Sequence, residues 1–347
     1  MNETLVFTIS MVFYLLAFVM FSASISLDRN NLYKIARYLI GIGIISASTG
    51  LGMRWYSAGH PPISNMYESL VCLSTFLAIA GFLFSYNRPL PMLEGGSAVG
   101  SLLMIGIASL FSSEIRPLIP ALQSYWLHLH VSLAFVGEAC FALAFILSYM
   151  YCFRQILVPR NAELISFKER ILALSVVAGL PVFFAGGMML LYFHLKSHPV
   201  FIERSSALLY GVILPTCLMA GILMVLTYLF RGAIGEKTEK WLPSLQVLDN
   251  LTYRAIALGY PLFTVGGLIF GMVWANKAWG RYWGWDPKET WALITFLVYS
   301  AYLHVRLTRG WNGIWTACLS VLGFIVTMFT LFGVNLLVSS LHSYAGY

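Results

Sequence analysis

The chain has 347 residues, of which 59% are apolar and 10% charged, against about a quarter charged in soluble domains. That composition excludes a soluble enzyme, and a net charge of +7 carried in short loops suits an anionic membrane face rather than nucleic acid. Apolar runs of the roughly 20 residues needed to span a bilayer recur from end to end, so we read residues 1–347 as a single all-α membrane domain, a polytopic helix bundle.

In chain order, the first run, 4–27, begins Met-Asn-Glu-Thr. It lacks a basic leader and a clear small-residue cleavage site, and reads as a retained helix rather than a signal peptide. Further spans are expected at 36–53, 67–86, 97–113, 129–153, 171–195, 206–230, 256–275, 288–307 and 314–339, about ten transmembrane helices in all. Lys and Arg stay on the cytoplasmic side, and two-thirds of the 21 such residues fall in the loops on one side if the N-terminus lies outside. Both termini and the stretch "AWGRYWGWDPKETWALI", 278–294, are therefore expected on the outer side.

The five cysteines, Cys72, Cys140, Cys152, Cys217 and Cys318, all fall in apolar spans without a C-x-x-C pair or metal-ligand spacing. They read as core residues. No phosphate-binding G-x-x-x-x-G-K-[ST] loop and no G-x-S-x-G elbow occurs, so ATP hydrolysis and serine-hydrolase chemistry have no support.

The histidines say more. His128 and His130 open the fifth span and His342 follows the last, which brings them to the same compartment; His60, His194 and His198 fall in outer loops. His304 lies roughly 25 Å along the ninth helix, near its inner end, where ionisable groups are rare and face a cavity or bundle interior. Singly, each reads as a structural or solvated histidine. Together with Trp279, Trp283 and Trp285 they suggest haem, since imidazole is the usual nitrogen ligand of haem iron and a porphyrin needs an apolar aromatic wall. Asp286, Pro287 and Glu289 read as N-cap, N1 and N3 of the ninth helix.

The segment "WANKAWGRYWGWDPKETWALITFLVYSAYLHVRL" resembles the tryptophan-rich WWD segment of the system II cytochrome c synthase family, in its smaller, haem-handling membrane subunit. The segments "RWYSAGHPPISNMYESL", "LQSYWLHLHVS", "LDNLTYRAIALGYPLFTVGGLIFGMVWA" and "FGVNLLVSSLHSYAGY" resemble family segments in the family's order. The likeness thus covers most of the chain.

The resemblance implies that His130 and His342 are the external axial ligands of haem b. It implies that His304 pairs with a histidine of a partner membrane subunit in an inner haem site. Trp274, Trp279, Trp283, Trp285 and Asp286 stand at the haem-facing positions of the outer WWD segment, 278–291. The implied activity is that of a cytochrome c haem lyase: haem delivery across or at the membrane, then attachment to the C-x-x-C-H motif of apocytochrome c on the outer face. Implied partners are that second membrane subunit, apocytochrome c and a thiol-reducing, thioredoxin-like protein. The implied location is the bacterial cytoplasmic membrane or, by family analogy, the thylakoid. The hairpin 171–230 departs from the smaller family members and brings His194 and His198 to the outer face as rivals to His130.

Two other classes compete. A b-type electron-transfer subunit wants paired histidines at matching depth, and His304 has no such mate in the sequence. A secondary transporter wants broken helices and internal repeats, of which Gly186-Gly187 and Gly266-Gly267 are only a faint hint, more simply read as close helix packing.

Overall fold

The computed structural model describes residues 3–87, 89–157, 166, 168–177, 179–180 and 241–337. The hairpin expected at 171–230 lies outside them beyond a helical opening at 168–177, as do His194, His198, Cys217 and His342. The described chain is helical: α1 (Glu3–Leu27), α2 (Asn30–Ala58), α3 (Met66–Phe84), α4 (Pro91–Ala108) and α5 (Tyr125–Leu157). Then follow α6 (Leu245–Trp279), α7 (Pro287–Thr308) and α8, which starts as Ile314–Met328 and runs on through Val334–Leu337.

Seven of these helices are long and apolar enough to cross a membrane. The other, α7, is long enough at 22 residues but carries Lys288, Glu289, His304 and Arg306 and is less apolar. Apolar runs mark only the stretch that hydrocarbon covers, so most helices extend past the expected spans. The run at 36–53 belongs to a helix of 29 residues, and α4 starts earlier than expected because Pro91, with its preset φ, occupies the first turn.

The first two helices form an antiparallel pair through seams of alternating three- and four-residue spacing. Phe7, Ser10, Tyr14, Ala17, Phe21 and Ser24 of α1 are buried, as are Tyr33, Ala36, Ile40, Gly43, Ala47, Gly50 and Arg54 of α2. That spacing keeps one narrow stripe of each helix facing the other. Small residues oppose aromatic ones: a Cβ on Gly43 would lie 2.7 Å from the Tyr14 ring, and one on Gly50 2.7 Å from Phe7. Leu5, Leu15, Phe18, Ile42 and Ile45 stay exposed, an apolar outer face suited to lipid.

Central to the bundle is α5, 33 residues and about 50 Å long, which packs against α3, α6 and α8. At the end that carries the tryptophan stretch, a buried ionic network ties α1, α2 and α3 together. Arg54 Nε donates to Glu68 at 2.6 Å, and its Nη1 donates to Glu3 at 3.3 Å and to the Ser113 carbonyl at 2.9 Å. Glu68 in turn accepts from the Ser64 amide and hydroxyl, while Asn65 caps α3. The buried Arg54 and Glu68 charges are thereby paired with each other, as burial requires. At the opposite end, Arg306 pairs with Asp249, which also accepts from the Gly313 amide and the Thr316 hydroxyl. The ends of α6, α7 and α8 that lie away from the tryptophan stretch are locked together by this group. Cys72, Cys140, Cys152 and Cys318 are unpaired and sit in or against the core, as their apolar settings in the sequence suggest.

Candidate functional site

Glycines bring α5 and α6 into backbone contact. A Cβ on Gly137 would lie 2.8 Å from the Phe263 amide nitrogen, one on Gly259 2.9 Å from the Gly137 carbonyl, and one on Gly266 2.7 Å from the Ala134 nitrogen. No side chain fits at these points, and small residues are what permits so close a helix approach. Within α6, Pro261 lacks the amide proton of a regular turn, and the helix widens into π geometry over Thr264–Phe270. Such widened turns gather at functional sites.

Close contact and widened turn together place the Gly266 carbonyl on His130. The His130 Nδ1–H donates to it at 2.8 Å, and because a carbonyl only accepts, the proton of the neutral ring sits on Nδ1 and the lone pair on Nε2. A fixed tautomer of this kind is what orients an imidazole as a metal ligand. Trp274 lies parallel to the ring, with centroids 6.0 Å apart and planes 6° apart. It is itself anchored, 1% exposed, with its indole N–H donating to the Ala121 carbonyl at 2.9 Å. On the other edge Gly271 leaves room for the imidazole, which a Cβ there would approach to 3.1 Å.

The WWD segment closes over this histidine. Asp286 caps α7 by accepting from the Lys288 amide, and Glu289 accepts from the Gly284 amide at 2.7 Å and the Asp286 amide at 3.2 Å. The capping arrangement expected from Asp286, Pro287 and Glu289 is present in full. It also shapes the loop, since Glu289 reaches back beyond the cap to Gly284. Trp279 packs edge-on against Trp274 at 6.2 Å and 73°, and Trp283 meets Trp285 at 5.7 Å and 90°. The rings therefore form stepped edges and faces rather than one flat wall. Trp285 is 70% exposed and holds a left-handed backbone, φ 55°.

A cavity of about 120 Å³ runs from beneath this loop along α5. His130, Trp274 and Trp283 line it, and so do Glu138, Lys288 and Asn335. The last three are absent from the site expected from sequence. Glu138 gave a signal, an ionisable residue in an apolar span; Lys288 reads in the sequence only as an outer-loop charge. A volume of roughly four waters cannot enclose a porphyrin. His130 and the tryptophans at its mouth nonetheless suit one: an imidazole with its lone pair fixed, backed by aromatic rings.

His304 lies elsewhere. Its side chain is exposed on the surface of α7, near the Arg306–Asp249 end. Thus the structure brings together His130, Trp274, Trp279, Trp283 and Asp286, sets Trp285 at the outside and separates His304, while His342 is outside the described residues. Asn335, on α8 seven residues before His342, already faces the cavity.

Comparison with known proteins bears on this arrangement. The family described as "Cytochrome C assembly protein" matches residues 63–342, a range holding all eight residues of the expected site. The chain is 34% identical over 340 residues to the "Cytochrome c biogenesis protein CcsA" of Cyanophora paradoxa, covering 96% of this chain and 94% of that protein. It is 35% identical over 313 residues to the protein of that name from Microcystis aeruginosa, covering 88% and 85%. With that of Synechococcus elongatus it shares 38% over 304 residues, covering 85% and 82%.

Proposed function

Since the chain belongs to the cytochrome c assembly family, among the CcsA proteins of system II cytochrome c synthesis, we propose that it holds haem b at the mouth of the His130 cavity and presents it to apocytochrome c for covalent attachment. A role in cytochrome c biogenesis and residence in a membrane come with the family and its apolar helices. The observation that carries the finer reading is the His130–Gly266 hydrogen bond, which fixes an Nε2 lone pair beside the WWD loop. His342 supplies the second axial ligand.

Haem is the substrate and brings the reactive vinyl groups. Each cysteine S–H of the C-x-x-C-H motif adds across one vinyl: sulfur bonds the carbon next to the ring and hydrogen goes to the terminal carbon. The addition consumes no oxidant but needs reduced thiols, which is the part of a thiol-reducing, thioredoxin-like partner. The motif histidine takes over one axial position as product leaves. This chain binds and orients, converting a slow bimolecular addition into an effectively unimolecular one. Gly266 holds the ligand ring, Trp274 backs it, Glu289 shapes the loop and the tryptophans at the cavity mouth keep water from the porphyrin face.

His304, exposed on α7, is proposed as half of an inner station completed by a histidine of the second membrane subunit. Haem moves from there to the outer site. A b-type electron-transfer role fits less well, because His304 faces away from the bundle.

The deciding experiment is haem content and holocytochrome yield for His130→Ala and His342→Ala, purified with the partner, with and without imidazole. Both variants are expected to lose outer-site haem and maturation, with imidazole restoring part of each by filling the vacated coordination position. Normal haem content and maturation in both would overturn the ligand assignment.

A further inference from the structure

The cavity beneath the WWD loop is too small for a porphyrin disc and of the right size for one of its side arms. At about 120 Å³ it holds roughly four waters, and a propionate arm of five heavy atoms displaces roughly two to three. Part of its lining is polar and charged: Glu138, Lys288 and Asn335. Lys288 is the sole Lys or Arg that lines it among the described residues, and its ammonium donates to the Asn335 side-chain oxygen at 3.1 Å. Asn335 is held in place by its own amide, which donates to the Leu331 carbonyl at 2.7 Å. Helix α7 gives no reason for a cation there, since Lys288 stands in its first turn, where the helix dipole disfavours positive charge.

We propose that Lys288 and Asn335 form a carboxylate-binding subsite that takes one propionate of the porphyrin whose iron His130 binds. This assignment rests on the haem reading of His130 and adds which end of the porphyrin points inward. Such an arm, inserted between α5 and α7, fixes the rotation of the disc about the iron axis. The vinyl groups, on the opposite side of a haem b from its two propionates, then point away from Lys288 and Asn335.

A simpler role for Lys288 is as counter-ion of Glu138, which lines the same cavity and is 8% exposed. The geometry favours the other role. Lys288 bonds Asn335 rather than Glu138, and Glu138 Oε2 is buried without a hydrogen-bond partner. The two carry no direct ion pair, and an arm that enters between them meets the ammonium on one wall.

The test compares binding of haem and of its dimethyl ester, whose propionates carry no charge. Both are titrated into the purified full-length chain with its partner and followed by the His130-dependent absorption spectrum. Wild type is expected to bind haem roughly ten- to a hundredfold more tightly than the ester, the worth of a charge-assisted hydrogen bond. Lys288→Met should bring haem down to the affinity of the ester. The double variant Lys288→Met with Glu138→Gln, which leaves no unpaired charge buried and so guards against misfolding, should show the same loss of preference, while Glu138→Gln alone keeps it. Excess free propionate should weaken haem binding and leave ester binding unchanged if the subsite recognises the porphyrin's own arm. Equal affinities of wild type for the two porphyrins, or a preference that survives Lys288→Met, would overturn the subsite. A spectrum that His130→Ala leaves unaltered would instead overturn the haem site itself, and the subsite with it.

Discussion

Trp285 holds a backbone conformation that its side chain disfavours. A left-handed φ costs a non-glycine residue roughly 1–2 kcal/mol, and this one holds φ 55° while exposing 70% of its surface. The strain is sustained by neighbours: Glu289 binds the amides on either side, those of Gly284 and Asp286. Strained residues so held gather at functional sites. Trp285→Gly removes the strain together with the ring, whereas Trp285→Ala removes the ring and keeps the strain. We expect the glycine variant to be about 1 kcal/mol the more stable of the two in thermal unfolding, and both to retain less haem than wild type. Equal haem retention in all three proteins would make Trp285 a boundary anchor and nothing more. The same local chemistry shows what a sequence discloses at this scale. Asp-Pro-x-Glu before an apolar run announces its cap, because every partner lies within three residues. The His130–Gly266 bond joins residues 136 apart and has no local signature.

Among the elements, the contact of α5 with α6 sets the site. A Cβ on Gly266 would come within 2.5 Å of the Leu133 side chain and 2.7 Å of the Ala134 backbone nitrogen, and backbone cannot swing aside. Gly266→Ala is therefore expected to destabilise the protein by about 1–3 kcal/mol and to shift the His130-dependent spectrum, because the carbonyl that orients the ring moves with its helix. Gly106→Ala, in α4 with nothing within 4 Å, should leave unfolding and spectrum alone. The expected spans other than 171–195 and 206–230 coincide with described helices because long apolar runs favour helix in a bilayer, and the seams of α1 and α2 stand in the sequence as three- and four-residue spacing. The widened turns at Thr264–Phe270 and Phe329–Gly333 were not legible. A lone proline such as Pro261 ends, kinks or widens a helix according to its neighbours in space. Lys288 escaped for a related reason: its address in a loop-to-helix turn says outer surface, and only the packing of α8 shows that it faces a cavity.

For the whole molecule, the proposed ligand roles of His304 and His130 predict two separate haem populations. His304 lies about 17 residues, roughly 25 Å, along α7 from Pro287, and its exposed side chain faces away from the bundle. One haem, roughly 15 Å across, cannot be ligated at both. Haem stoichiometry measured with the partner present should show His304→Ala losing the inner population and starving the outer one, and His342→Ala losing the outer one alone. The chain without its partner should lack the inner population. Loss of one identical species in both variants would reduce the route to a single station. The π turn of α6 carries a consequence at this same scale. A turn of this kind holds one more residue than an α-turn and so absorbs a residue that would otherwise rotate Trp274 and Trp279 by about 100° about the helix axis. Deleting one residue within 264–270 would return the turn to ordinary helix and leave both tryptophans near their present direction, yet would displace the Gly266 carbonyl that His130 binds. The extra residue thus belongs to the site through the backbone it displaces, although it offers no side chain to a ligand.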